Sequence, residues 1–73
     1  MRVSDLQTKD VVSITDGKRL GRIVDIDITQ DGYINYFVVE ERHFFSFFRS
    51  REEINVHMNQ IKKIGEDVIL VEI

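Results

Sequence analysis

The sequence is expected to fold as an all-β domain, a small closed or nearly closed barrel of six short strands, on three observations. Isoleucine and valine supply 19 of the 73 residues, against three leucines and no alanine, and β-branched side chains suit a pleated sheet better than a helix. The stretch "LGRIVDIDIT" alternates with period two, placing Val24, Ile26 and Ile28 on one face and Asp25, Asp27 and Thr29 on the other. Glycine-containing turn signals then recur at short intervals along the chain.

Each element follows in order. "SDLQ" reads as one helical turn with a capping box, Ser4 accepting from the backbone and Gln7 reaching back. "DVVSIT" is a strand, and "DGKR" supplies the glycine that a tight hairpin needs. "LGRIVDIDIT" is the second strand, and "QDG" (Gln30 to Gly32) turns the chain into "YINYFVVEE". A Phe-rich loop comes next, followed by a strand from about Glu53 to Met58 and a short turn near Asn59 and Gln60. In "IKKIGEDVILV", Gly65 is expected to provide the permissive backbone of a last hairpin. Val24, Ile26, Ile28, Val56 and Val68 are assigned to the core. "YINYFVVEE" and "VILVEI" are apolar on both faces, so some of Tyr33, Phe37, Val39, Ile69 and Val71 are expected outside the barrel, either as a contact with a second copy or an obligate partner or covered by the N-terminal turn and the Phe-rich loop.

Seventy-three residues make a single domain, 1–73, close to the smallest size that folds on one core. The chain has no cysteine, which excludes a disulfide staple or a thiolate metal site. It has no apolar run long enough to span a bilayer, and "MRVSDLQTKD" has no apolar signal core, so a cytoplasmic location is expected. A net charge of −3 argues against a dedicated duplex nucleic-acid binder.

Catalytic and metal motifs fail one by one. From Asp27 the chain reads D-x-T-x-D-G-x-I, as a calcium loop begins, but its twelfth position is Val38 rather than a bidentate acid. Asp25 and Asp27 stand roughly 6.5 to 7 Å apart on one strand face. That spacing would suit acid–base work, yet no cleft pattern accompanies it. His43 and His57 are too few for zinc without cysteine. Ser13, Ser46 and Ser50 sit in no nucleophile elbow, and "DGKRLGR" lacks the spacing of a phosphate-cradling loop. No catalytic residue, cofactor or metal ligand is assigned, and the chain is read as not an enzyme.

The segments "SDLQTKDVV", "DGKRLGRI" and "QIKKIGEDVILV", in this order and with "VVEE" and a Phe-rich loop between them, resemble the YlmC/YmxH family of PRC-barrel proteins over nearly the whole chain. The resemblance implies a six-stranded PRC barrel and a connection with spore formation in Gram-positive bacteria. The same fold in ribosome maturation factors and in the photosynthetic reaction centre H subunit looks like a docking module rather than a catalyst. This chain departs from the family at Val56-His57-Met58, where an Ile-Pro-Trp step is usual. That removes a large aromatic and, by replacing proline, restores a backbone donor.

The feature that carries function is "RHFFSFFRSR", Arg42 to Arg51, which holds four of the five phenylalanines beside three arginines and a histidine, with no acid among them. Either Phe44, Phe45, Phe47 and Phe48 form a small core beneath a long loop, or some of the rings face outward. Outward rings rimmed by Arg42, Arg49 and Arg51 match the aromatic-and-arginine chemistry of protein contact sites. These seven residues are therefore assigned to partner binding, the partner being another protein, with a homo-oligomer as a further expectation. An anionic membrane surface or single-stranded RNA is the alternative, with Lys18, Arg19 and Arg22 extending the positive track in the RNA case.

Overall fold

A computed structural model describes residues 1–41 and 52–73. Helix α1 (Val3–Gln7) leads into strands β1 (Asp10–Ser13), β2 (Arg19–Ile28), β3 (Ile34–Glu40) and β4 (Glu53–His57). A single 3-10 turn (Met58–Gln60) then gives way to β5 (Ile61–Ile64) and β6 (Val68–Val71). The six expected strands are all present. Helix α1 begins earlier than the Ser4/Gln7 box implies: Asp5 caps it, its carboxylate accepting the Arg2 backbone N–H at 2.8 Å.

The strands form one sheet in the order β4-β3-β2-β1-β6-β5, antiparallel except for the β1–β6 pair. Chain connectivity curls this sheet into a barrel. Its two edge strands, β4 and β5, follow each other in sequence across three residues. A flat six-stranded sheet would hold its edges roughly 24 Å apart, whereas the links from His57 to Ile61 span at most roughly 14 Å. The curled sheet encloses Val11, Ile23, Phe37, Val39, Val56, Ile69 and Val71, with Leu6, Leu20, Ile26, Ile54 and Ile61 packed against them. Burying each of the seven contributes about 1.5 to 3 kcal/mol before chain entropy is charged against it.

The face assignments from simple alternation need correction. Ile23 opposes Val39 and Asp25 opposes Val38, so Val24 is the extra residue of a β-bulge. The bulge turns Ile23 inward and leaves Val24 exposed. Beyond it, Ile26 opposes Phe37 and faces the core. Ile28 lies on that same inner face but past the end of the barrel, paired with Ile34 and 61% exposed. Of the expected core residues, Val56 is buried, Ile26 packs against the core and Val68 is half-buried, while Val24 and Ile28 are solvent-facing. Conversely, Phe37, Val39, Ile69 and Val71 are fully interior, and only Tyr33 of that group lies outside. Both apolar strands put one face inward, as small-barrel strands must.

Gly17 (φ +72°) and Gly32 (φ +89°) occupy the two hairpin turns as expected. Gly65 does not use the permissive region; its N–H simply closes the last hairpin onto the Val68 carbonyl at 2.7 Å. Gly21 (φ +136°) carries the tightest constraint: a Cβ there would lie 2.1 Å from the carbonyl oxygen of Glu40. It stands where β2 passes from pairing with β1 to pairing with β3.

Candidate functional site

The seven residues assigned to partner binding, Arg42, Phe44, Phe45, Phe47, Phe48, Arg49 and Arg51, lie outside the described residues. The structure does define the platform from which their segment leaves. Strands β3 and β4 pair up to Glu40 opposite Glu53, and the Glu41 N–H donates to the Glu52 carbonyl at 3.1 Å. The described part of this hairpin is thus paired up to the residues that flank 42–51 on both sides.

That platform is rich in carboxylates. Glu40, Glu41, Glu52 and Glu53 flank the segment on both sides, with Glu40 also facing Arg22 across the β2–β3 ladder. The positive track of Lys18, Arg19 and Arg22 is largely spoken for, because Asp10 pairs with Arg19 at 3.6 Å and with Arg22 at 3.4 Å. Such half-exposed pairs add little stability, but they lower the charge available to a polyanion.

The residues considered for chemistry are used locally. Asp25 accepts the Ile26 backbone N–H at 2.8 Å, and Asp27 accepts from the Asn35 side-chain amide at 3.0 Å. Ser13 is buried, its hydroxyl accepting the Thr15 N–H at 3.3 Å. The His57 ring tilts against Tyr36 with centroids 5.4 Å apart. Its backbone N–H, the donor that a proline would lack, is used: it donates to Gln60 Oε1 at 2.8 Å. Among the described residues, no group of three or more His, Cys, Asp or Glu could hold a metal ion. No helix among them is long and apolar enough to cross a membrane.

The barrel interior is itself filled. Val11, Ile23, Phe37, Val39, Val56, Ile61, Ile69 and Val71 converge there and leave no space for even a water molecule. On its outer surface the structure exposes apolar side chains that alternation did not foresee: Ile14, Ile28, Ile34 and Met58, with Tyr33 next to Ile34. Ile28 was hidden by its place in the clean alternating stretch; only the position of Gly32 shows how little strand remains beyond it.

The family model described as "PRC-barrel domain" matches residues 1–73. The chain is 44% identical over 71 residues to the "Probable sporulation protein YlmC" of Bacillus subtilis (strain 168), an alignment covering 94% of this chain and 88% of that protein. It is 33% identical over 76 residues to the "Uncharacterized protein YmxH" of the same organism, covering 100% of this chain and 89% of that protein.

Proposed function

This chain belongs to the PRC-barrel domain family, and from that premise we propose that it is a non-catalytic docking barrel that works in the cytoplasm during sporulation and binds another protein through Arg42–Arg51. The observation that carries the reading is the solid interior: with the barrel filled by its own side chains, recognition falls to the surface and its insertions. The segment between Glu41 and Glu52 is the most unusual of these in composition. Phe44, Phe45, Phe47 and Phe48 act as apolar anchors, and Arg42, Arg49 and Arg51 orient them. The connection with sporulation is supported by the name of the 44%-identical relative.

The carboxylates at the platform favour a protein partner over RNA or an anionic membrane. Glu40, Glu41, Glu52 and Glu53 adjoin the three arginines, so an approaching phosphate would meet both signs of charge. A protein surface can match such a pattern, whereas a uniform polyanion cannot.

Affinity capture from sporulating cells tests the reading. The native chain is compared with a Phe44→Ser/Phe47→Ser variant shown by circular dichroism to be folded. A protein retained by the first and lost by the second is the expected result. Retention of RNA or lipid instead of protein, or identical recoveries from both baits, overturns it.

A further inference from the structure

The β2–β3 hairpin runs from Ile23 to Glu41 without a single lysine or arginine, while Asp25, Asp27 and Asp31 stand along it. Its tip projects past the rest of the sheet. The β3–β4 ladder begins only at Tyr36 opposite His57, so Ile28 and Ile34 pair with each other, and among the described residues no third strand lies beside them. Apolar side chains sit at this tip in the open: Ile28 is 61% exposed, Tyr33 74% and Ile34 38%. An apolar tip ringed by acids calls for an apolar partner ringed by bases.

The same chain carries that complement. Arg42–Arg51 pairs four phenylalanines with three arginines and no acid. We propose that the β2–β3 tip is the docking site for the Arg42–Arg51 segment of a second copy of this chain. Contact between copies is favoured over contact within one because β3 separates the two features. The tip ends at Ile34 and the segment starts after Glu41, seven residues of strand or roughly 23 Å away. A contact in which tip meets segment is head-to-tail, so it repeats into a ring or a chain rather than closing as a symmetric pair. The proposal rests on the reading of Arg42–Arg51 as the anchoring segment and names the partner for it.

The test is complementation between two defective variants of the purified chain, followed by sedimentation equilibrium at low and high salt. Ile28→Ser/Tyr33→Ser removes the tip and Phe44→Ser/Phe47→Ser removes the segment; each is first checked for folding by circular dichroism. Tyr33→Ser/Asp31→Lys, confined to the turn, serves as a second tip variant should the first not fold. The wild type is expected to self-associate more weakly as salt is raised. Each variant alone is expected to associate at least about tenfold more weakly, as loss of a contact hot spot implies. Their equimolar mixture should form dimers and nothing larger, because one intact tip then meets one intact segment. A wild type that stays monomeric at high micromolar concentration overturns the proposal, and so does a mixture that stays monomeric. Neither result touches Arg42–Arg51 as an anchor for a different protein, which the capture experiment reads separately.

Discussion

Gly21 and the Glu40 carbonyl stand so close across the β2–β3 ladder that a Cβ on Gly21 would lie 2.1 Å from the oxygen. The contact falls where β2 leaves β1 and takes up β3. Gly21→Ala must both clash with backbone and hold an alanine at positive φ. A loss of about 3 kcal/mol or more is expected. Gly17→Ala, where nothing lies within 4 Å of the added Cβ, should cost only about 1 kcal/mol. Thermal unfolding followed by circular dichroism separates the two. Equal losses would contradict the close-approach account.

The bulge at Val24 makes neighbouring residues unequal. Ile23→Ala empties a buried site and is expected to cost about 2 to 5 kcal/mol. Val24→Ala alters a side chain in solvent and should stay within about 1 kcal/mol. Urea denaturation of both variants checks this. The reverse order would restore the simple alternation that places Val24 inside.

His57→Pro is expected to fold. His57 has φ −77° and ψ 156°, which a proline ring tolerates. Its N–H goes to the Gln60 side chain rather than to the sheet. Loss of that hydrogen bond costs about 1 kcal/mol, offset in part by the stiffer unfolded chain. A thermal midpoint within a few degrees of wild type supports this, and failure to fold would mean that the N–H is needed elsewhere.

Asp10→Asn leaves Arg19 and Arg22 without their shared carboxylate. The expected loss is no more than about 1 kcal/mol at low ionic strength, and smaller in high salt. Denaturation at two salt concentrations reads the difference. A larger loss that does not respond to salt would point to packing rather than charge.

Much of the fold was legible because turns announce themselves: Gly17 and Gly32 mark hairpins wherever they stand, and the β-branched runs between them had nothing else to become. The faces were less legible for a physical reason. Val24, Ile26 and Ile28 alternate cleanly, yet one extra residue at Val24 shifts the pleat, and no local pattern marks a bulge before the partner strand is in place. Phe37, Val39, Ile69 and Val71 were ambiguous because both strands are apolar throughout, and only the pairing decides which side is inside. The Arg42–Arg51 segment stood out by composition alone, whereas the exposed Ile28–Ile34 pair emerges only from register.

The central claim is that residues 42–51 form the contact surface. Photo-crosslinking in intact sporulating cells tests it most directly, with a benzophenone side chain placed at Phe47 or, as a control, at exposed Glu66 in the turn between β5 and β6. The account expects a discrete protein adduct at Phe47, of the same mass in every replicate and lost when Phe44 is changed to Ser. No adduct at Phe47, in cells where the control position yields one, would contradict it.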